Sequence, residues 1–363
     1  MEINDVKPER IRIKDIAKKA GVSAGTVDRV IHNRYGVSMS SKKKVEEILR
    51  QMDYKPNMYA SALATNKVYN MACLLPKHTD EDYWFYVETG MKHSVKQYND
   101  FNVNLKPFYY DQYDKEAFTI AGTEMMEYNP DGVIIAPASE QETAPIVAEL
   151  KKNNIPYVFI DSNIESLEPL TFYGQDSHKS GYFAARILSM IAERNKPAVI
   201  FRLIYEGRLA SNQQINREAG FREYISHNCP DMKLYVLDFL INNPEENENI
   251  MNDFFMNHPE VKCGITFNSK AYIVGEYMTK MGRDDFNLIG YDMLERNIQC
   301  VMRGSVDFII AQQPSMQGGE CVKALFDHII LKKNIKPRNY VPITLISKEN
   351  IDFYIEAHLR QNN

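Results

Sequence analysis

The chain has 363 residues, of which 44% are hydrophobic and 25% are charged, a composition typical of a folded protein with two or three domains. We find no apolar run long enough to cross a membrane, and the charged start MEINDVKPER does not resemble a secretory signal. The five cysteines are widely spaced without a CxxC pair. They favour reduced thiols in a cytoplasm over disulfides or a zinc site.

Charge is distributed unevenly along the chain, although the net charge is only −5. Residues 1–67 contain 14 basic and 8 acidic side chains, a balance of +6, whereas the remainder contains 29 basic and 40 acidic side chains, a balance of −11. This asymmetry indicates that only the N-terminal part meets a polyanion such as DNA. Solubility alone would also explain a basic surface, so charge does not decide the matter without a motif.

The segment IKDIAKKAGVSAGTVDRVIHN at 13–33 predicts two short helices joined by a tight turn. Gly21 ends the first helix, because glycine enters the left-handed conformation without steric cost, and Ser23 is a suitable N-cap for the second. A third helix is predicted over 40–52. The expected inward-facing positions of the first two helices are Ile13, Ile16, Ala17, Ala20, Val27, Val30 and Ile31. This is the helix-turn-helix pattern, whose second helix enters the DNA major groove.

The run KDIAKKAGVS followed by TVDRV resembles the start of the lactose- and purine-repressor family of bacterial transcription regulators. Val37, Ser38 and Val45 fit that family's third helix, and the segment YKPN at 54–57 fits its hinge, as do Ala60 and Leu63. The resemblance implies a DNA-binding domain at 1–56 and a hinge helix or linker at 57–68. It also implies that Leu63 enters the minor groove of a dimer's operator and kinks it. The alternative is that Leu63 packs onto the body.

Candidate DNA contacts lie on the second helix and in the expected hinge. Ser23 and Thr26 suit phosphates, and Arg29 suits the paired acceptors of guanine. Ala24 and Gly25 are small where relatives often have polar residues, so a thymine methyl or DNA shape would replace direct hydrogen bonding there. The full set of DNA-binding candidates is Ser23, Ala24, Gly25, Thr26, Arg29, His32, Asn57 and Leu63.

From Tyr69 onward the sequence alternates between apolar runs and helical patterns. Strands are predicted at 71–75, 131–136, 155–160, 198–204, 234–240, 263–267, 286–290 and 306–311. Helices are predicted at 83–98, 115–128, 142–152, 176–193, 211–227, 269–281 and 314–331. This alternation is typical of parallel α/β sheets with helices on both faces, and about ten strands favour two subdomains over one sheet.

The family resemblance implies a bilobed body of two parallel-sheet α/β subdomains, similar to type I periplasmic sugar-binding proteins and crossed three times by the chain. We place the crossings near 168, 312 and 333. The effector-binding domain at 69–363 then has an N-subdomain at 69–167 and 313–332. Its C-subdomain comprises 168–312 and 333–363.

Polar residues follow several predicted strands, where ligands bind in parallel α/β sheets. Asp161 follows VFI, Asn268 follows GITF, Asp292 follows LIGY and Gln312 follows FIIA, while Arg217 lies in a predicted helix. Carboxylates, amides and a guanidinium suit the hydroxyl groups of a sugar. The resemblance implies that these same five positions contact ligand. Each residue taken singly also fits a strand-end cap or an interlobe hydrogen bond.

Aromatic residues open the first helix beyond the first predicted strand. Trp84 and Phe85 lie there and could stack on a sugar ring, and a role in the core or at the lobe interface is equally open. The effector-binding candidates are therefore Trp84, Phe85, Asp161, Arg217, Asn268, Asp292 and Gln312.

The sequence as a whole predicts a cytoplasmic, homodimeric transcription regulator, in the first instance a repressor of carbohydrate-utilisation genes. It is expected to bind pseudo-palindromic operator DNA and a sugar or sugar derivative, without cofactor, metal ion, membrane or catalytic residues. A transport-type sugar-binding protein would share the body, but it would need a secretory signal and no basic head. A hydrolase is the third class, because GVSAG at 21–25 matches G-x-S-x-G; that motif must follow a buried strand, and here it follows a helix.

Overall fold

The computed structural model describes residues 12–31, 35–52, 54, 59, 63, 67–114, 116–193, 196–205, 208–209, 211–240 and 243–361. The chain divides into two compact units, Met1–Asn66 and Lys67–Asn363. Among the helices described, none is long and apolar enough to span a bilayer.

The smaller unit contains helices α1 (Ile13–Ala20), α2 (Ala24–Ile31) and α3 (Met39–Gln51). Gly21 ends α1 with φ at +66°, a conformation that strains residues with a side chain. Ser23 Oγ accepts the Thr26 main-chain N–H at 3.1 Å, which caps the start of α2. The buried core residues are Ile16, Ala17, Ala20, Val27, Val30 and Val45. The predicted helix-turn-helix and third helix are thus confirmed.

The larger unit alternates strands and helices in chain order. Its described strands are β1 (Tyr69–Pro76), β2 (Val103–Tyr110), β3 (Gly132–Ile135), β4 (Tyr157–Ile160), β5 (Thr171–Gly174), β6 (Ala198–Tyr205), β7 (Arg208–Leu209), β8 (Leu234–Leu240), β9 (Cys263–Thr266), β10 (Asn287–Tyr291), β11 (Phe308–Ala311), β12 (Arg338–Tyr340) and β13 (Thr344–Ile346). Its described α-helices are α4 (Tyr83–Gln97), α5 (Ala117–Glu127), α6 (Glu140–Lys152), α7 (Ser177–Ile191), α8 (Asn212–Asn228), α9 (Pro244–Asn257), α10 (Tyr272–Lys280), α11 (Glu295–Arg303), α12 (Pro314–Ile329) and α13 (Ile351–Gln361). Each strand predicted from the sequence is present.

The first lobe is built on a parallel sheet with the strand order β12-β5-β4-β3-β1-β2. Leu74 in β1 is paired with Phe108 of β2 on one side and with Ile135 of β3 on the other. β3 and β4 are buried along their whole length, because helices cover both faces of the sheet. β2 was not predicted. It is an edge strand that contains Pro107 and alternates buried with exposed residues.

The second lobe is built on a sheet in which β13, β11, β10, β9 and β6 are neighbours in that order. β8 runs parallel to β6 along its length, β7 forms a short antiparallel pair with the end of β6, and β13 is antiparallel to β11. Two apolar clusters cover the two faces of this sheet. Phe201 and Leu288 belong to one cluster, while Ile200 and Ile289 belong to the other, as the alternation of strand residues requires.

The chain crosses between the lobes after β5, after β11 and after β12. The crossing near 312 agrees with the sequence boundary. The crossings expected near 168 and 333 lie later in the chain, because β5 and β12 pair with each other at the edge of the first sheet. Gln175 ties the three crossings together, since its side-chain Nε2 donates to the carbonyls of Ala311 at 3.2 Å and Pro342 at 3.1 Å.

Each lobe contains one pair of helices that approach closely at glycine. In the first lobe, a methyl group on Gly90 of α4 would lie 1.9 Å from the Ser315 carbonyl oxygen of α12. In the second lobe, a methyl group on Gly181 of α7 would lie 1.8 Å from the Arg217 carbonyl oxygen of α8. Glycine at these positions therefore sets the spacing of the helices, and Gly181 sets the distance between α7 and α8.

We expect Gly181→Ala to destabilise the protein by about 1–3 kcal/mol, because the new methyl group must push α7 away from α8. Gly319→Ala is the matched control. A methyl group on Gly319 would meet its nearest atom, the Gly90 carbonyl oxygen, at 3.5 Å, an ordinary contact. Urea unfolding of the two variants measures the difference, and equal stability would contradict close packing at Gly181.

Candidate functional site

The carboxyl ends of strands from both lobes meet at a cavity of about 280 Å³, which we call the inner cavity. Six of the seven effector-site residues predicted from the sequence line it: Trp84, Asp161, Arg217, Asn268, Asp292 and Gln312. Phe85 does not line it and instead contacts Tyr86 edge-on, with the ring centroids 5.6 Å apart. Adjacent helix residues point about 100° apart, so Trp84 and Phe85 cannot share one direction.

Arg217 occupies the floor of the inner cavity and is only 2% exposed. Its Nη1 donates to the Phe267 carbonyl at 2.9 Å, and its Nη2 donates to Gln312 Oε1 at 2.6 Å. The guanidinium carbon lies 4.1 Å from the centroid of the Tyr291 ring. Gln312 in turn donates from Nε2 to Asp292 Oδ1 at 2.7 Å. Strand ends β9, β10 and β11 are therefore joined to helix α8 through one guanidinium.

Asp161 and Asp292 face the cavity from opposite lobes in the same unusual backbone conformation. Their φ angles are +67° and +70°, in the left-handed region that aspartate tolerates better than most residues. Burial raises the pKa of Asp292 to about 6, although Arg217 and the hydrogen bond from Gln312 oppose the shift. Burial also raises the pKa of Asp161, again against the effect of Arg217. A ligand hydroxyl that donates to either carboxylate would replace the lost hydration.

Asn297 and Gln317 support the strand ends from behind and were not singled out from the sequence. The fully buried Asn297 donates from Nδ2 to the carbonyls of Tyr291 at 3.0 Å and Asp292 at 2.9 Å. Gln317 donates from Nε2 to the Gln312 carbonyl at 2.6 Å. Both lie on helices rather than after strands. The available signal for Asn297 was its position on the buried stripe of α11, three residues before Cys300.

The first turn of α8 joins the two lobes. Gln213 donates from Nε2 to the Asp161 carbonyl, and Asn212 donates from Nδ2 to the Ala138 carbonyl at 3.1 Å. On the same side, the rings of Tyr113 and Tyr205 contact each other with centroids 5.0 Å apart. The lobes are therefore in contact across the cleft.

Arg217 Nε lines the inner cavity, is buried and has no hydrogen-bond partner among the described residues. The Tyr83 hydroxyl lies at the same cavity, where burial raises its pKa and the nearby Asp161 carboxylate adds to the shift. Buried polar atoms are nearly always paired in folded proteins, so an unpaired one calls for a ligand or a water. The inner cavity therefore holds free hydrogen-bonding capacity at Arg217 Nε, in addition to its two carboxylates.

The predicted DNA-contacting residues of α2 lie on its outer surface. Ser23, Ala24, Gly25 and Arg29 are exposed, and Thr26 is half-buried with its hydroxyl 2.9 Å from Ser23 Oγ. This face is free of the core, which α2 reaches through Val27 and Val30. Of the remaining candidates, Leu63 is 47% exposed, whereas His32 and Asn57 lie outside the described residues.

Comparisons with known proteins agree with this arrangement. Residues 12–57 match the model of bacterial regulatory proteins of the lacI family, and residues 72–333 match a periplasmic binding protein domain. A solved structure from Bacteroides fragilis, assigned as a LacI transcriptional regulator, is 46% identical to this chain. The match covers 79% of this chain and 100% of that one, with a TM-score of 0.78.

This chain belongs to the lacI family of bacterial regulatory proteins.

Two other relatives of this lacI-family chain are less similar in sequence. The HTH-type transcriptional regulator DegA of Bacillus subtilis is 29% identical over 58% of this chain and 59% of its own length. The chain spans about half the length of several curated relatives that it matches. GanP, a glucose-galactose binding protein from Geobacillus stearothermophilus, is 22% identical, with a TM-score of 0.66 over 79% of this chain and 99% of that one. At that identity the likeness shows the fold alone.

The G-x-S-x-G run of this family member has the structural context of a turn between helices. Gly21 and Ser23 connect α1 to α2, and Ser23 Oγ is occupied as the cap of α2. A hydrolase nucleophile would instead follow a buried strand. Among the described residues no cluster of three or more His, Cys, Asp or Glu side chains is arranged to hold a metal ion.

We expect Asp292→Asn to change how stability depends on pH. The pKa of Asp292 is about 6 in the folded protein and near 3.8 when unfolded, so the folded state binds the proton more tightly. The stabilisation from this group is fully present below about pH 4 and is lost as the pH rises through about 6. Wild-type protein should therefore lose up to about 3 kcal/mol over this window, a loss that is absent in the variant.

Urea unfolding at a series of pH values checks this expectation. Asp100→Asn, which changes an exposed aspartate in the same lobe as Asp161, is the control and should keep the wild-type profile. Parallel profiles for wild type and Asp292→Asn between pH 4 and 7 would show that Asp292 is not the group responsible.

Proposed function

We propose that this protein is a DNA-binding transcription regulator, a repressor in its simplest form, whose operator affinity is set by a sugar-like effector. The observation that carries this proposal is the presence in one chain of a helix-turn-helix with a free outer face and a cleft lined by carboxylates, amides and one guanidinium. Neither part alone would suggest regulation. Together they provide a site that reads DNA and a site that can receive a signal.

The outer face of α2 suits contact with the major groove. Arg29 can donate two of its side-chain N–H groups to O6 and N7 of a guanine, the commonest specific contact in such complexes. Ser23 and Thr26 can donate to phosphates at the start of the helix. Because Ala24 and Gly25 offer no polar side chain, we expect a thymine methyl group or groove shape to be recognised beside them. The target is proposed to be a pseudo-palindromic operator bound by a homodimer in the cytoplasm.

The inner cavity suits a ligand rich in hydroxyl groups. Asp161 and Asp292 can each accept two hydroxyl protons from adjacent carbons of a sugar ring, and Asn268 can donate and accept at once. Arg217 Nε supplies a further donor that has no partner among the described residues. Because the effector is proposed to be a sugar, the regulated genes are proposed to be those for carbohydrate utilisation.

Regulation is proposed to work by linkage between the lobes and the DNA-binding segments. A ligand that contacts both lobes favours the arrangement in which those contacts form. In a dimer that arrangement would set the separation of the two DNA-binding units. Ligand and operator then change each other's affinity by the same factor.

A Leu63→Ala variant tests the DNA half of this proposal. If Leu63 enters the minor groove, its removal should lower operator affinity about tenfold or more while leaving effector affinity intact. The probe is a duplex selected by wild-type protein from a random-sequence library, with binding measured at several salt concentrations. Ile120→Ala, a truncation at a 56% exposed residue of the body, is the control. Unchanged operator affinity in Leu63→Ala would assign this leucine to packing.

An Asp292→Ala variant tests the effector half. Trp84 lines the inner cavity and is the single tryptophan, so sugar binding should change its fluorescence. Removal of the Asp292 carboxylate should lower sugar affinity about tenfold or more, because a buried hydroxyl loses its partner. The variant should still bind the operator but respond weakly to sugar.

The ligand itself can be identified by mass spectrometry of material that copurifies with the protein. A sugar that binds Asp292→Ala with wild-type affinity would exclude this carboxylate from the site. A sugar that binds without any change in emission would place its contacts away from Trp84.

A further inference from the structure

A second cavity of about 290 Å³, which we call the outer cavity, opens beside the inner one. The two share part of their walls, because Trp84, Gln112, Tyr113, Asp161 and Ser211 line both. The outer cavity is as large as the inner one, which measures about 280 Å³. If a single sugar ring fills the inner cavity, the continuous cleft has room for a second ring.

Apolar side chains from both lobes form much of the outer cavity. Tyr110 and Phe118 belong to the first lobe and contact each other edge-to-face with centroids 4.9 Å apart. Tyr205 and Ile215 belong to the second lobe and line the same space. The C–H face of a pyranose ring packs well on such surfaces, which combine apolar area with few rotatable bonds.

Carboxylates at the outer cavity are held in place but not fully used. Asp111 Oδ1 accepts the Tyr113 main-chain N–H at 2.9 Å, and Glu142 Oε2 accepts the Ser139 main-chain N–H at 3.1 Å. The second oxygen of each carboxylate has no partner within the described part of the chain. Each carboxylate is therefore oriented by the protein and can accept a hydroxyl proton from a ligand.

The charges around the outer cavity restrict the ligand further. Its described lining includes Asp111, Asp114, Glu142 and Asp161, and it includes no lysine, arginine or histidine. A uronate or a sugar phosphate placed there would face carboxylates without a compensating cation. A neutral ring that carries hydroxyl groups meets no such penalty.

We propose that the outer cavity is a second sugar subsite and that the effector is a neutral disaccharide or longer oligosaccharide. One ring lies among Asp161, Asp292 and Arg217, and the next ring lies among Tyr110, Tyr113 and Ile215. This inference rests on the sugar-responsive function proposed above and adds the length and charge of the ligand. Trp84 and Asp161, which line both cavities, flank the glycosidic linkage.

The second ring also contributes to the response, because the outer cavity is closed by contacts between the lobes. The Tyr113–Tyr205 ring contact and the Asn212–Ala138 hydrogen bond both lie in its wall. A ring that packs beneath them touches both lobes and favours the arrangement in which they meet. A monosaccharide in the inner cavity leaves this part of the cleft to water.

The test compares sugars by calorimetry on the full chain. The probes are glucose, galactose and mannose, together with maltose, cellobiose, lactose and mannobiose. In wild-type protein we expect at least one disaccharide to bind about tenfold or more tightly than its component monosaccharides. Ile215→Trp, which fills the outer cavity at a 47% exposed position, should remove this advantage and leave monosaccharide affinity unchanged.

Ile120→Trp is the matched control, because it makes the same change at a 56% exposed isoleucine that lines neither cavity. It should keep the preference for the disaccharide. Equal affinity for every monosaccharide and disaccharide pair, or an undiminished preference in Ile215→Trp, would overturn the second subsite while leaving a sugar-responsive regulator intact. Failure of every probe to bind would instead contradict the sugar effector itself, and the subsite would fall with it.

Discussion

The buried guanidinium of Arg217 is the interaction on which the cleft depends. Burial of a cation is costly unless hydrogen bonds and opposite charges surround it, and here Phe267, Gln312 and the Tyr291 ring supply the close contacts. The same guanidinium favours ionisation of Asp161 and Asp292, whose carboxylates would otherwise resist it more strongly. One network therefore links the guanidinium to both carboxylates of the cleft.

Much of this site could be predicted from one rule of parallel α/β folds. Ligands bind beyond the carboxyl ends of strands, so the residues after apolar runs identify Asp161, Asn268, Asp292 and Gln312 without any structure. The helix-turn-helix was equally visible, because Gly21 and Ser23 mark the turn between two short amphipathic helices. The other predicted strands and helices were also correct where the segment was strongly apolar or strongly periodic, because these patterns reflect burial directly.

What the sequence could not provide depends on contacts between distant segments. β12 is held as a strand by β5, which lies far away in the chain and pairs with β4 on its other side, so the lobe boundaries at 168 and 333 could not account for these two strands. Asn297 and Gln317 donate hydrogen bonds to the strand ends from helices, and an amide residue within a helix has no sequence feature that marks such a role. The outer cavity has walls from both lobes, and only their approach brings Tyr113 beside Tyr205. Phe85 was predicted to line the cleft because it follows Trp84 in the sequence, but adjacent residues of a helix point in different directions.

Gln175 explains how contacts in the cleft can become one movement of the lobes. Its amide joins the first crossing to Ala311 of the second and to Pro342 of the third, so the three connections are coupled to one another. A ligand can shift such a hinge only by the difference between its affinities for the two lobe arrangements. Contacts that span both lobes enlarge that difference. Contacts to a single lobe raise the affinity equally in both arrangements and do not favour either one. The inner cavity spans the lobes through Asp161 and Asp292, and the outer cavity spans them again through Tyr113 and Ile215. A longer ligand would therefore act on the same hinge with a larger differential affinity, and ligand length and strength of regulation should rise together.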